Sequence, residues 1–267
     1  MPLGKSTEYP QEYAPGVLFA VARAVAREPL GLGRERPFHG ADICNAWELS
    51  WLDDSGKPVV ATATLRIDAG SPNIVESKSL KLYLGSFALS RYASAAELER
   101  IISVDIGNVA GSTVDVSIAT RPGDDDAIIH ALPGACVDDL GIAEVAAGLD
   151  PALLRRSGAE IVSEELHTHL LRSLCPVTGQ PDYGSVLLRY QGPCIDPQGF
   201  LEYIVSFRRH SDFHEVCVER MFMDIRERCS PEKLTVYARY TRRGGIDINP
   251  FRSDFEEPAE NLRLWRQ

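Results

Sequence analysis

The chain has 267 residues, of which 44% are hydrophobic and 25% are charged, and its formal net charge is −10 at pH 7. These proportions are ordinary for a globular protein, and the length allows one large domain or two modest ones at roughly 150 residues per domain. A duplex nucleic acid binder usually carries a basic face, so the acidic balance argues against nucleic acid as a direct partner.

The elements of the first half begin with the Ala-rich segment Leu18–Glu28, which favours a helix. Alternating polar and apolar residues predict strands over Ala46–Leu52 and Val59–Ile67, joined as a hairpin by the turn DDSG at 53–56. One helix is predicted from Ser77 through SKSLKLYLGSFALSRY.

The next predicted helix is SAAELERIIS, for which Ser94 is a suitable N-cap with Glu97 three residues on. The alternation of Thr113–Ala119 predicts a strand, and segment 121–150, with its GDDD run and prolines, is predicted to be an inserted loop and linker. The second half repeats the order strand, strand, helix, helix, strand, over Glu160–Leu171, Ser185–Gln191, Pro197–Arg209, His214–Cys229 and Lys233–Arg242.

This repeated order predicts an α+β protein of two tandem modules, residues 1–150 and 151–267. A glutamate begins one helix in each half, Glu76 in IVESKS and Glu215 in FHEVCVER, about half a chain length apart. No apolar run approaches the roughly 20 residues that span a bilayer, and the first residues lack the apolar core of a signal peptide. We therefore expect a cytoplasmic protein with no membrane contact.

Six cysteines are present, without a C-x-x-C pair or a Cys/His run at zinc spacing, so no metal site is predicted. The segment 173–184, SLCPVTGQPDYG, is the most informative. Cys175 precedes Pro176 in a Gly/Pro-punctuated loop, and Asp182 follows seven residues later. A thiol beside an acid/base group can attack an electrophile, although a buried cysteine with an unrelated turn aspartate fits the same pattern.

Three further segments could take part in a site. Phe213-His214-Glu215 offers an acid/base pair, or simply a helix start with Asp212 as N-cap. Glu76 could accept N–H bonds from a planar heterocycle, while the lysines after it could form a solvated helix face. The arginines before the glycine pair in TRRGGIDINP, 241–250, could bind phosphate or end a strand. No G-x-G-x-x-G follows a strand, which makes a Rossmann domain unlikely.

Together these segments resemble the 7-cyano-7-deazaguanine reductases of the queuosine pathway, in the long two-module form of that family. The match comprises E-S-K-S-L-K-L-Y, C-x-x-T-x-Q-P-D, F-H-E and R-R-G-G-x-D-I-N-P in order, and the resemblance extends from about Leu3. It implies a tunnelling fold, in which antiparallel sheets backed by helices form barrels, and a homodimer. The implied reaction is NADPH-dependent reduction of the nitrile of 7-cyano-7-deazaguanine to the aminomethyl product.

The resemblance also implies roles for single residues. Cys175 would be the nucleophile that forms a covalent thioimide, Asp182 the proton donor, and His214 an assistant in later proton transfers. The implied substrate-binding residues are Val75, Glu76, Ser77, Phe213, His214 and Glu215, and the implied NADPH contacts are Ser77, Lys78, Arg243 and Gly244. Two other classes stay open, a cyclohydrolase-like tunnelling-fold enzyme, whose zinc ligands this chain is expected to lack, and a non-catalytic purine-binding module.

Overall fold

A computed structural model describes residues 9–33, 35–123, 128–142, 144–257 and 260–267. The start of the resemblance, Leu3 to Glu8, and the three aspartates of the GDDD run lie outside these ranges. The chain forms two compact units that are not contiguous in sequence. The first comprises the described parts of 1–34 and 41–129 together with 242–248, and the second comprises 35–40 and the described parts of 130–241 and 249–267. The predicted module boundary at 150 and 151 stays a prediction.

The first unit contains a three-stranded antiparallel sheet in the order β5-β3-β2 and a small sheet of β1 with β4. Its elements are β1 (Ala20–Ala22), α1 (Arg23–Arg27), β2 (His39–Leu52), β3 (Pro58–Asp68), β4 (Asn73–Val75), α2 (Ser77–Gly85), α3 (Ala95–Ala110) and β5 (Val114–Ala119). The predicted hairpin, the helix after Ser94 and the strand that becomes β5 are confirmed. The helix predicted from Ser77 is confirmed as far as Gly85, whereas its predicted continuation to Tyr92 was wrong.

Helix α3 shows why the sequence folds this way. The Ser94 hydroxyl accepts the Glu97 N–H at 3.2 Å, which confirms the predicted N-cap. Four apolar residues at a spacing of four form its buried stripe, namely Leu98, Ile102, Ile106 and Ala110. They join one hydrophobic core with β2 and β3. The helix ends at Gly111, whose φ of +75° is the left-handed conformation that glycine adopts without steric cost.

The second unit is also built on antiparallel strands. Its elements are β6 (Ala135–Cys136), β7 (Arg156–Leu174), β8 (Pro181–Ile195), α4 (Pro197–Ser206), α5 (His214–Cys229), β9 (Lys233–Tyr240) and, for the most part, β10 (Ile246–Ser253). The strand order is β10-β9-β8-β7-β6, and only the two-residue β6 runs parallel to its neighbour. Both predicted helices and the three predicted strands are confirmed, and the α+β class with them.

Three differences from the predicted elements have local causes. The predicted helix over Leu18–Glu28 was wrong for most of its length, since β1 pairs with β4 and leaves only the five-residue α1. The loop segment 121–150 contributes β6 to the sheet. Strand β10 was not predicted, because the Asp, Asn and Pro of IDINP disfavour a strand by composition. No helix in the described ranges combines the length and the apolar character needed to cross a membrane.

Candidate active site

Cys175 and Asp182 lie at the tip of the hairpin formed by β7 and β8. Leu174 pairs with Pro181 and Ser173 with Asp182, so the loop begins at Cys175. The Cys175 N–H donates to the Gln180 carbonyl at 2.9 Å, which continues the pairing by one residue. By strand alternation, Cys175 and Asp182 project from the same face as diagonal neighbours, about 7–8 Å apart or less. Both are buried, at 8% and 7% exposure.

The loop itself closes tightly around Cys175. The Gly179 N–H donates to the Cys175 carbonyl at 2.9 Å, and Gly179 has φ +68°, a conformation that favours glycine. Leu174 also donates to the His210 carbonyl at 2.8 Å and accepts from the Asp212 N–H at 3.1 Å. These bonds fix the approach to α5 beside the hairpin tip, and so bring Phe213, His214 and Glu215 to the cysteine loop.

His214 is the first residue of α5, and its ring is held on two sides. Its Nε2 atom lies 3.4 Å from Asp182 Oδ2, and its ring stacks on Tyr240 with centroids 3.7 Å apart and planes at 5°. The stack fixes the ring plane, so that one ring edge faces the carboxylate. His214 Nδ1 is buried and has no hydrogen-bond partner among the residues that the structure describes. The arrangement suits a carboxyl group that moves protons with a histidine beside it.

The expected N-cap of α5 was wrong. The N-cap residue is Phe213, which has no side-chain cap, and the Asp212 carboxylate instead accepts the Phe213 N–H at 2.9 Å. Burial raises the pKa of Asp212 above its ordinary value. Farther along the helix, burial strongly raises the pKa of the Cys217 thiol, with the nearby Asp212 charge adding to the effect. Cys217 is therefore kept as an unreactive thiol near the site.

The first unit carries the second group of predicted residues around the start of α2. Glu76 is its N-cap and is 2% exposed, and its carboxylate accepts the N–H groups of Lys78 and Ser79, each at 2.8 Å. Val75 ends β4 and is buried beside it, while Ser77 is half-buried. A carboxylate has about four acceptor positions, so Glu76 can cap the helix and still accept from a ligand.

The R-R-G-G segment forms a tight turn in the same unit. Arg243 and Ile246 pair around Gly244 and Gly245, whose φ values of +61° and +75° fit a two-residue hairpin turn. A Cβ atom on Gly244 would lie 3.1 Å from Lys81 Cδ, so this turn contacts the long side chain of α2. Lys81 follows Lys78 by three residues and shares its helix face. The turn that carries Arg243 therefore contacts the helix residue Lys81, which lies on the same helix face as Lys78.

This turn is anchored by its flanking residues. Asp247 accepts from Asn45 Nδ2 at 2.8 Å and from Trp47 Nε1 at 2.5 Å, and the Arg242 guanidinium lies 4.7 Å from the Trp47 ring. Arg242 therefore stacks on Trp47, and Arg243 is the residue that begins the turn.

Each unit therefore holds one part of the predicted site. Cys175, Asp182, Phe213, His214 and Glu215 come together in the second unit, and Val75, Glu76, Ser77, Lys78, Arg243 and Gly244 gather in the first. Sequence reasoning missed Tyr240 and Lys81. Lys81 belongs to the motif E-S-K-S-L-K-L-Y, and Tyr240 ends an alternating strand two residues before Arg242. Membership of a motif could have identified Lys81, and proximity to one could have identified Tyr240.

A separate cluster contradicts the expectation that the chain lacks grouped Cys and His ligands. Cys136, His167 and His169 each offer a ligand atom within 4.8 Å of the others. Sequence spacing does not reveal this cluster, because Cys136 is far from the histidines in sequence and reaches them through the pairing of β6 with β7. Desolvation lowers the pKa of His169. The cluster lies apart from the cysteine loop along β7.

A buried cysteine beside a paired aspartate and histidine, on antiparallel sheets backed by helices, defines a candidate enzyme with a thiol nucleophile. A family model described as nitrile reductase, 7-cyano-7-deazaguanine-reductase N-term, matches residues 9–118, and one described as QueF-like protein matches 181–259.

Three full-length relatives share one name, NADPH-dependent 7-cyano-7-deazaguanine reductase. Those of Desulfotalea psychrophila, Azoarcus sp. and Burkholderia multivorans are 52%, 51% and 50% identical to this chain, cover all of it, and are themselves covered to 97%, 95% and 98%. The chain belongs to the 7-cyano-7-deazaguanine reductase family. A solved chain of the archaeosine synthase QueF-Like in the apo form covers 36% of this chain and 94% of its own at 16% identity and a TM-score of 0.32, too weak a likeness to support a conclusion.

Proposed function

We propose that this protein reduces the nitrile of 7-cyano-7-deazaguanine to the aminomethyl group with NADPH, as a step of queuosine tRNA modification. The relatives at about 50% identity over the full chain carry this activity in their names. The observation that carries the chemistry is the buried Cys175 at the hairpin tip, beside an Asp182 carboxylate that contacts His214.

The reaction needs a nucleophile because a nitrile is a poor hydride acceptor. In our proposal the Cys175 sulfur adds to the nitrile carbon, and the nitrogen takes a proton, which gives a covalent thioimide with an electrophilic C=N unit. After one reduction the carbon bears sulfur and nitrogen, and the nitrogen lone pair expels the thiolate to form an imine. A second reduction and a proton yield the amine. The balance is one nitrile, two NADPH and two protons to one primary amine and two NADP⁺.

Asp182 is proposed to move the protons in these steps. Its carboxyl group is on the same face of the hairpin as Cys175 and also contacts the His214 ring. It would take the thiol proton and return it to the nitrile nitrogen. His214 would stabilise the negative charge of Asp182 whenever Asp182 is deprotonated, and it would supply further protons for formation of the amine. Such assistance is typically worth roughly 10²–10⁴-fold in rate.

Substrate recognition is proposed to use the two glutamates. Glu76 and Glu215 are both buried, at 2% and 5% exposure, and a buried carboxylate gains most from planar N–H donors such as those of a deazaguanine edge. Val75 and Ser77, which flank Glu76, and Phe213 and His214, which precede Glu215, are also proposed to bind the substrate. Charge-assisted bonds of this kind are worth about 1.5–3 kcal/mol each.

The residues of the first unit fit the phosphate-bearing NADPH. Lys78 and Lys81 share one face of α2, Ser77 is in its first turn, and the Gly244 backbone lies against Lys81. Glycine lets a phosphate approach the backbone, and Arg243 offers a planar fork for it. This local group of cations is what a chain with net charge −10 requires to hold such an anion. When bound, NADPH supplies the hydride for both reductions.

We also propose that the protein works in the cytoplasm as a homodimer, with functional modules at 1–150 and 151–267. Cytoplasmic location is supported by the absence of a long apolar run in the sequence, and the dimer by the resemblance alone. The modules are supported by the repeated element order.

The test is NADPH oxidation by the purified protein with and without 7-cyano-7-deazaguanine, with the product identified by mass. We expect two NADPH consumed per aminomethyl product. Binding of the substrate without NADPH consumption would instead indicate a purine-binding module. Hydrolytic ring opening of a purine nucleotide by the metal-loaded protein would indicate a cyclohydrolase. Because the chain holds a separate Cys/His cluster, bound metal alone does not favour that last class.

A further inference from the structure

The Cys136, His167 and His169 side chains converge on one point at the edge of the second unit. Cys136 pairs in register with His167 across β6 and β7, and their ligand atoms and that of His169 lie within 4.8 Å of one another. The two rings meet edge to face, with centroids 5.4 Å apart. In a tetrahedral zinc site, ligand atoms are roughly 3.4–3.7 Å apart, given Zn–N near 2.1 Å and Zn–S near 2.3 Å. Cys136 is exposed, so a small rotation of its side chain can shorten the distances between the ligand atoms to those of a zinc site.

Hydrogen bonds already select the ring nitrogens that would bind a metal. His167 Nδ1 lies 2.9 Å from the Pro133 carbonyl, which can only accept, so Nδ1 carries the proton and the Nε2 lone pair is available. His169 Nδ1 lies 2.7 Å from the Ser185 hydroxyl, which can play the same role. Metal-binding histidines almost always have such a partner on the second nitrogen, because it fixes the tautomer and the ring orientation.

We propose that Cys136, His167 and His169 bind one Zn²⁺ ion through Sγ and two Nε2 atoms, with water as the fourth ligand. One thiolate and two imidazoles suit zinc, whereas calcium and magnesium prefer oxygen ligands. On binding, the Cys136 thiol releases its proton to solvent and forms the sulfur–zinc bond. The Asp138 carboxylate accepts the His169 N–H at 3.1 Å and the Thr168 hydroxyl at 2.6 Å, so it adds negative charge close to the site and holds the strand that carries both histidines.

The proposed role of this ion is to stabilise the edge strand β6. Strand β6 has only two residues and joins the unit at its outermost position, after a loop. Coordination of one ion by Cys136 and by two side chains of β7 would hold β6 in place. His169 is six residues before Cys175, which follows the end of β7, so at 3.3 Å per residue up to about 20 Å of extended chain separates the zinc ligand from the thiol. The proposal does not depend on the proposed function.

The experiment is a zinc titration of the chelator-treated full chain, monitored by competition with a chromogenic chelator, together with the absorption spectrum after Co²⁺ substitution. We expect one Zn²⁺ per chain and a thiolate-to-cobalt charge-transfer band. Cys136→Ser and His169→Ala should abolish that band and weaken zinc affinity, and Ser185→Ala should weaken it by about 10–100-fold through the outer contact. Saturating zinc should raise the melting temperature of the wild type but not that of Cys136→Ser or His169→Ala.

Matched controls are Cys194→Ser, at a partly exposed cysteine, and His130→Asn, at a histidine of the same unit. Both should bind zinc as the wild type does. Circular dichroism checks that each variant is folded, and Cys136→Ser changes an exposed side chain. Absence of stoichiometric zinc from folded wild type would overturn the proposal. Equal binding by wild type, Cys136→Ser and His169→Ala would do so too, since the ion would then be held elsewhere.

Discussion

The two units follow the same order of elements but begin their key helices in opposite ways. In the first, Glu76 precedes the first helix of the pair and its carboxylate caps the backbone. In the second, Glu215 lies inside the first turn of the second helix, after an N-cap that has no side-chain bond. The two glutamates, half a chain apart, are therefore not equivalent positions of the repeat.

We propose that this difference suits the two units to different tasks. In the first unit, the capped helix α2 carries Lys78 and Lys81, and Lys81 contacts the Gly244 turn. This arrangement is suited to an anionic cofactor. The uncapped start of α5 puts His214 and Glu215 in the first turn, directly beside the cysteine hairpin. Chemistry is expected to depend on the second unit and cofactor affinity on the first, and the following predictions test that division.

The largest effect is expected for Cys175→Ala. Without the sulfur no thioimide can form, so turnover should fall by more than about 10³-fold while the melting temperature changes little. Mass spectrometry of the wild type mixed with the nitrile alone should show a covalent adduct that the variant lacks. Cys194→Ser is the matched control and should behave as wild type. Ordinary NADPH oxidation by Cys175→Ala would remove the cysteine from the mechanism.

Asp182→Asn should have the next largest effect. The amide keeps the shape but cannot take or return the thiol proton, so kcat should fall by about 10²–10⁴-fold. The dissociation constant for the nitrile, measured by calorimetry, should stay within a few-fold of the wild-type value. Asp139→Asn, at an exposed carboxylate of the same unit, should change neither quantity. An unchanged rate in Asp182→Asn would assign the proton transfer to another group.

In the first unit, Lys81→Ala should raise the KM for NADPH by about 10-fold and leave kcat nearly unchanged. One charge-assisted contact is worth about 1.5–3 kcal/mol, and partial exposure of the lysine reduces that value. The effect should shrink as salt is added. Lys57→Ala, at an exposed turn lysine, is the control. A loss of kcat with normal KM would contradict the assignment of cofactor binding to this unit.

Tyr240 should give the smallest and most selective effect. Tyr240→Leu removes the ring that stacks on His214, and such pairs contribute about 0.5–1.5 kcal/mol, so kcat should fall by about 2–12-fold. Tyr240→Phe retains the stack and should retain most of the rate. The pair of variants therefore separates ring orientation from the hydroxyl. Equal losses in both would show that stacking is not what matters.

Local signals predicted most of the fold because they agree with the tertiary structure. The alternation that becomes β3 and the Ser94 cap of α3 are examples. The predicted helix near Leu18 failed because strand pairing outweighed alanine propensity. The motif residues of the candidate site were predicted through resemblance. The stack of Tyr240 on His214 arises from the packing of α5 against β9, and the grouping of Cys136 with two histidines from the pairing of β6 with β7. No spacing rule applied to one segment can reveal such contacts.

The way Asp247 is held has a consequence for synthesis of the chain. Its carboxylate binds Asn45 and Trp47, two residues of the same unit that are made some 200 positions earlier. Domains generally fold in order of synthesis, but the first unit cannot complete its folding until a segment near the C-terminal end has been made. Until that segment leaves the ribosome, Asn45 and Trp47 lack the Asp247 carboxylate to which they donate. If the gene were divided between the two predicted modules, the product with residues 1–150 would therefore always lack Asp247 and these two hydrogen bonds.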